Sequence, residues 1–236
     1  MIIKQYIRVF CLIALSSSIF IMPKIRILLT AAITNNYYEM RKQQYIAMIS
    51  NLSRYGYQDV YVIEAIKRQG PSYFDELTKN VFYATVNKST LKNIGINEGL
   101  TMLEGLKHFN FDPEDMILKL TGRYECTSDR FIKFVEAHQD ADAIVKFTQD
   151  GQVLTLCYAM KYKHFIHMFE HLDYDLMEKD MIYIEKAVGK YIYDRIIAGN
   201  FNVISVDKVY VRADVRQSQT NSTQTWNKGN STEVEV

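Results

Sequence analysis

The residues best suited to chemistry gather in one short run, Asp115-Met116-Ile117-Leu118-Lys119-Leu120-Thr121-Gly122-Arg123-Tyr124. It begins as an apolar strand and ends in a polar turn holding a permanent cation (Arg123), a glycine (Gly122) and a hydroxyl (Thr121). A guanidinium can grip a diphosphate through two parallel N–H···O bonds, and Lys119, alternating with apolar residues, could add a second charge. The chemistry on offer is neutralisation of a phosphate group. Earlier in the chain, Thr30, Ala31 and Ala32 close an apolar run and would present small side chains and backbone groups to a nucleotide. The same residues also suit an ordinary strand-to-helix turn. Glu64, at the end of a second run, could accept hydrogen bonds from a ribose or a base edge, or simply be solvated.

Asn93-Ile94-Gly95-Ile96-Asn97-Glu98-Gly99 opens a helix. Glycines permit close approach of a ligand there, and free N–H groups at a helix start favour anions. Asn97 serves equally as a plain N-cap. Two later carboxylates stand out in Asp180-Met-Ile-Tyr-Ile-Glu185-Lys. On a helical wheel Glu185 falls inside an apolar arc with Met181, Val188 and Ile192, so it must be paired, neutral or facing a cavity. Asp180 sits where it could cap the same helix. His108, His138, His164, His167 and His171 have no accompanying Cys or carboxylate motif, and they read as structural faces, not a zinc site. Asp140-Ala141-Asp142 reads as a surface loop.

The elements that must position these residues alternate. Ile25–Ala31 and Asp59–Ala65 read as buried strands, followed by a short helix near Tyr73–Thr78 and a strand at Val81–Val86. A helix capped at Asn36 carries Tyr38, Tyr45, Ile49 and Leu52 on one stripe, and Gly56 ends it. A helix over Asn97–Phe109, strand Asp115–Leu120, a helix capped by Ser128, and strands Ala143–Phe147 and Val153–Ala159 come next. Helices near Lys163–Leu172 and Asp180–Ala198 and a strand through Asn202–Arg212 complete the domain. This order predicts an α/β fold, a single domain over residues 24–212 with a mostly parallel sheet and helices on both faces. Ligands of such sheets sit beyond the carboxyl ends of the strands. No Gly-x-Gly-x-x-Gly or P-loop lysine motif is present, which disfavours dehydrogenase, methyltransferase and P-loop kinase chemistry.

The order Ile-Leu-Leu-Thr, Gly-x-Asn-Glu-Gly, Asp-x-Ile-x-Lys-x-Thr-Gly-Arg-Tyr and a late Ile-Glu-Lys resembles a family of small glycosyltransferases with a glycosyltransferase-A-like fold, of the kind found in capsule, lipopolysaccharide and viral glycan synthesis. The likeness spans roughly Lys24–Val211. It implies transfer of a sugar from a nucleotide-sugar donor to a hydroxyl on a glycan or lipid-linked acceptor. It places Thr30, Ala31, Glu64 and Asn97 in the nucleotide pocket and Lys119, Thr121, Gly122 and Arg123 at the phosphates; for the base, the late helix offers Glu185, the preferred carboxylate, or Asp180. Thr121-Gly122-Arg123 stands where many members of that fold carry Asp-x-Asp. A metal-free site is therefore expected, although the resemblance also admits Mn²⁺ or Mg²⁺. A catalytically silent nucleotide-sugar-binding domain and a nucleotidyltransferase remain as rival readings.

Composition bounds the rest. The 236 residues are 48% hydrophobic, ample for one core; the formal net charge is +1, with Lys and Arg interspersed among Asp and Glu, so no basic face for nucleic acid is visible. Cys11, Cys126 and Cys157 lie too far apart in sequence for a metal-ligand pair and read as small core residues. Residues 1–23 carry Lys4 and Arg8 before an apolar run of roughly fourteen residues, shorter than the about 20 of a membrane span. That segment reads as a signal or anchor touching a membrane, or as an extension of a cytosolic enzyme. Residues 213–236 are rich in Gln, Ser, Thr and Asn and read as a disordered tail containing two glycosylation triplets, at Asn221 and Asn230.

Overall fold

The computed structural model describes residues 24–32, 38–65, 73–86, 90–213 and 234–235. The first half runs β1 (Ile25–Ala31), α1 (Tyr38–Arg54), β2 (Val60–Ala65), α2 (Phe74–Leu77), β3 (Asn80–Ala84) and α3 (Ile94–Phe109). The second runs β4 (Met116–Thr121), β5 (Glu125–Cys126), α4 (Arg130–Ala137), β6 (Ala143–Val145), β7 (Cys157–Lys161), α5 (Tyr162–His171), α6 (Tyr174–Lys179), α7 (Ile184–Ile197), β8 (Val203–Ser205), β9 (Val211–Ala213) and β10 (Val234–Glu235).

Among the described residues the main sheet has the order β3-β2-β1-β4-β7-β6-β8. The first four strands are parallel, β7 runs against both its neighbours, and β6 is parallel to β8. The expected α/β class with a mostly parallel sheet and helices on both faces is the class observed. β1, β2 and β4 are near-continuous apolar runs because both their faces are covered. Leu29, Val62 and Leu118 pack toward Tyr45, Met48 and Leu52 of α1 and Phe131 and Val135 of α4. Leu28, Ile63 and Ile117 pack toward Met102 and Leu106 of α3, Phe165 of α5 and Val188 and Ile192 of α7.

Several expected boundaries move. The helix expected over Asp180–Ala198 forms only from Ile184, as α7; Asp180 instead closes the preceding α6, and Met181 between the two has φ 51°. α3 begins at Ile94, earlier than expected, and its N-cap is Asn93, whose side chain accepts from the Gly95 N–H at 3.0 Å. The strand expected at Val153–Ala159 forms only from Cys157, and Val153 makes an isolated bridge to Phe147. The last strand divides into β8 and β9. The end of the expected disordered tail supplies β10, which pairs antiparallel with β9, Val234 opposite Ala213. The Asn36 cap, Cys11, residues 1–23 and both glycosylation triplets lie outside the described residues.

Close packing of α3 on β2 depends on Gly105, since a Cβ there would lie inside the Ile63 side chain. Overpacking of this kind costs about 1–3 kcal/mol, against about 1 kcal/mol that Ala gains over Gly within a helix. Gly105→Ala should therefore lower Tm in thermal unfolding. Combined with Ile63→Val, it should cost less than the sum of the two single changes.

Candidate functional site

Register sets the carboxyl edge of the sheet. Ala31 stands opposite Glu64, and Glu64 opposite Tyr83. One residue earlier, Thr30 pairs with Thr121, and the Gly122 N–H continues the ladder to the Thr30 carbonyl at 3.0 Å. Strand alternation then divides the expected site residues between two faces. Ala31 and Glu64 follow Leu29 and Val62 toward α1, whereas Thr30, Lys119 and Thr121 follow Leu28 and Ile117 toward α3 and α7.

On the α3 face the centre is Lys119, whose side chain is 1% exposed. Its ammonium donates to Glu98 Oε1 at 2.7 Å, to the Thr155 carbonyl at 2.7 Å and to Thr121 Oγ1 at 3.0 Å. Three donors meet three acceptors, so the charge is satisfied inside the protein. This placement differs from the expectation of Lys119 as a phosphate ligand, because a phosphate would have to displace one of those oxygens. Thr155 also donates its hydroxyl to Glu185 Oε1 at 3.0 Å. Glu185, in the first turn of α7, is thus paired, as its place on an apolar arc requires. Asp180 is elsewhere: it is the exposed C-cap of α6, separated from α7 by the break at Met181. Glu98 and Thr155 were not singled out from sequence. A lysine inside an apolar strand does signal a buried acidic partner, but nothing in the sequence says which one.

At the start of α3 a carboxylate of the protein itself takes the place of an anion. Glu178 accepts from the backbone N–H groups of Lys92 and Asn93 at 2.9 and 3.0 Å, and Asn93 Nδ2 donates to the carbonyls of Met177 and Ile182. The two glycines serve packing: a Cβ on Gly95 would press on Ile184, and one on Gly99 on the Tyr174 ring. Asn97, expected as N-cap or pocket residue, lies within α3.

Arg123 follows β4 on a turn and stacks on its neighbour, with Cζ 4.9 Å from the Tyr124 ring centroid and Nη2 donating to the Tyr124 hydroxyl at 2.9 Å. Tyr124 packs with the α1-side core. Among the described residues no carboxylate pairs with this half-buried guanidinium, and its Nε is buried without a hydrogen-bond partner. Gly122 makes room for Tyr45, as a Cβ there would lie 2.9 Å from the ring. The Tyr45 hydroxyl accepts from the Ala32 N–H at 2.9 Å and so holds the tip of β1.

Among the described residues no group of three or more His, Cys, Asp or Glu could hold a metal ion, and the tip of β4 offers a guanidinium and a hydroxyl, which do not fit Mn²⁺ or Mg²⁺. Asp142 is occupied by Lys161, His164 and the Asn202 N–H. Burial works against its charge, but the Asn202 N–H and Lys161 hold it below the ordinary carboxylate range. The histidines make ring contacts within the protein: His108 stacks on Phe82, His138 on Phe134 and His167 on His171. Cys126 and Cys157 are buried, free thiols. A cleft of about 670 Å³ lined by Arg26, Tyr57, Tyr61 and Glu136 opens at the amino ends of β1 and β2. It lies away from this edge, and Arg26 there is bound to Asp115 at 2.7 Å.

No family model matches the chain, and no curated protein matches it by sequence. Among solved structures, it overlaps a protein assigned as a nucleotide-diphospho-sugar transferase from Desulfovibrio desulfuricans G20 at 12% identity and TM-score 0.47, covering 78% of this chain and 80% of that one. It overlaps the glycosyltransferase GlyE of Streptococcus pneumoniae TIGR4 at 13% identity and TM-score 0.45, covering 77% of this chain and 45% of GlyE. A 4-diphosphocytidyl-2C-methyl-D-erythritol synthase gives 11% identity and TM-score 0.44, covering 78% and 89%. Likenesses this distant carry no weight for activity or residue roles.

The clamp on α3 gives a pH-dependent signature. The two backbone N–H groups hold Glu178 below the usual carboxylate range. A group with a depressed folded pKa contributes stability above its unfolded pKa and loses it as pH falls through the folded one. Glu178→Ala should therefore lower Tm at neutral pH, and the gap to wild type should close in acid, in paired thermal scans across pH.

Proposed function

We propose that this chain is a glycosyltransferase, moving a sugar from a nucleoside-diphosphate sugar to a hydroxyl on a glycan or lipid-linked acceptor. The observation that carries this reading is Arg123: a half-buried guanidinium at the tip of the central strand, without a carboxylate partner and with an orphaned Nε. Buried polar groups are nearly always satisfied, so an unsatisfied cation at a ligand-binding edge calls for an anion of its own. A diphosphate fits, because its oxygens can take two parallel N–H bonds from one guanidinium.

In this scheme the nucleotide lies over the tips of β1 and β2, with Thr30, Ala31, Glu64 and Asn97 as pocket residues and Thr121 and Gly122 shaping the phosphate end. Tyr45, which holds Ala32, fixes the height of that rim. Arg123 meets the charge that grows on the departing diphosphate, the role a divalent ion plays where Asp-x-Asp is present. A carboxylate at the same edge takes the acceptor proton, and Glu185 was its sequence-based candidate. The apolar segment within residues 1–23 would supply any membrane contact. Among the described residues no helix is long and apolar enough to cross a membrane.

Arg123→Ala should lower donor hydrolysis or transfer by about 10²–10³ with an unchanged unfolding curve, and Arg123→Lys should not restore it, since an ammonium lacks the fork geometry. Saturating EDTA should leave wild-type turnover intact. Full activity in Arg123→Ala, or loss of activity on chelation, would remove this mechanism; both are read by measuring released nucleoside diphosphate.

A further inference from the structure

Lys119 and the two glutamates around it are not explained by a phosphate role. Glu98 Oε1 is held at 2.7 Å by an ammonium whose other two protons go to Thr121 and Thr155. Thr155, itself buried, passes the constraint on to Glu185 through its hydroxyl. One buried cation therefore orients two carboxylates that come from different helices, α3 and α7. Burial first, then the charges of Glu98 and Glu185, push the Tyr158 phenol far above its usual value. The two carboxylates differ in setting. Glu185 has Oε1 occupied by Thr155, while Glu98 is 35% exposed, with Oε1 anchored below. An anchored carboxylate that still reaches solvent is the geometry expected of a general base: its position is fixed, and it can meet a hydroxyl arriving from outside.

We propose that Glu98 is the carboxylate that receives the acceptor hydroxyl and that Lys119 is its positioning residue, not a phosphate ligand. This rests on the transferase reading above. In the step, the acceptor O–H proton passes to Glu98 as its oxygen forms a bond to the anomeric carbon. The bond from that carbon to the diphosphate oxygen breaks, and its electron pair leaves with the diphosphate, toward Arg123. Lys119 keeps Glu98 aimed and, through Thr155, keeps Glu185 in register.

The test compares Glu98→Gln, Lys119→Met and the double variant by calorimetric titration with UDP and GDP and by steady-state turnover of the corresponding sugar donors. Glu98→Gln should lower kcat by about a hundredfold or more with donor KM and diphosphate affinity within about twofold of wild type. Lys119→Met should show the same split, and the double variant should lose no more than the worse single one, because both act on one group. If Lys119 binds phosphate, diphosphate affinity falls instead and the inference is wrong. Should Lys119→Met fail to fold, Glu98→Gln decides alone, since its side chain is partly exposed and nearly isosteric; full kcat in that variant overturns the proposal. Wild-type protein that neither binds the diphosphates nor turns over donor removes the transferase reading, and this inference with it, an outcome distinct from active protein indifferent to Glu98.

Discussion

A lysine ammonium sealed inside an apolar sheet is the constraint around which this molecule is arranged. Removing such an ion from water costs several kcal/mol unless close acceptors replace its hydration. At Lys119 the replacement is complete, with three oxygens at 2.7, 2.7 and 3.0 Å. Each acceptor belongs to a different part of the fold. Glu98 ties α3 to β4, Thr155 ties the turn before β7, and Thr121 fixes the strand's own end. Through Thr155 the constraint reaches Glu185 on α7. A purely structural β4 would do better with Met or Leu at this place, since buried ion pairs are often no more stable than the apolar residues that could replace them. The arrangement holds polar groups in fixed positions near the carboxyl edge of the sheet, at a cost that an apolar residue there would avoid.

The second constraint is the pleat. Because side chains alternate, β4 sends Lys119 and Thr121 to the α3 side, and Arg123 can reach the α1 side only after the turn at Gly122. The two cations that looked from sequence like one phosphate grip are thus assigned different neighbours: carboxylates and hydroxyls for one, an aromatic ring for the other. Stacking on Tyr124 satisfies the face of the guanidinium but leaves Nε without an acceptor. Tyr45 fills the space that Gly122 leaves and reaches across to Ala32, so the tips of β1 and β4 are set by one ring.

Much of the fold was legible because buried parallel strands carry a strong signal. Ile25–Ala31 was bounded to the residue, and the α/β alternation followed from composition and spacing. What failed did so for local reasons. Asp180–Ala198 has continuous helical periodicity, yet the helix starts only at Ile184, because Asp180 closes α6 and Met181 takes a positive φ that no side-chain pattern announces. Val153–Ala159 has strand composition, but Thr155 is held in a turn by Lys119 and Glu185, contacts distant in sequence. In the candidate site the residue types were recognisable and their partners were not: Lys119 and Glu185 stood out as polar residues in apolar settings, while Glu98, which balances the first, looked like any exposed helical glutamate.

The start of α3 shows why a helix N-terminus is a weak pointer by itself. Its free N–H groups attract negative charge from any source, including the protein. Here Glu178 supplies it, accepting from the N–H groups of Lys92 and Asn93, while the Asn93 side chain accepts from Gly95 and reaches the α6–α7 connection. Satisfied donors have nothing left to offer a phosphate. The Lys119 ammonium is likewise met by three protein oxygens. Arg123 differs: it is a half-buried permanent charge whose Nε has no acceptor among the described residues. Two of the three positive centres expected to meet the donor are thus neutralised from within. On the reading proposed above, a ligand with concentrated negative charge would gain most at the third, and that asymmetry would make a generic α/β edge directional.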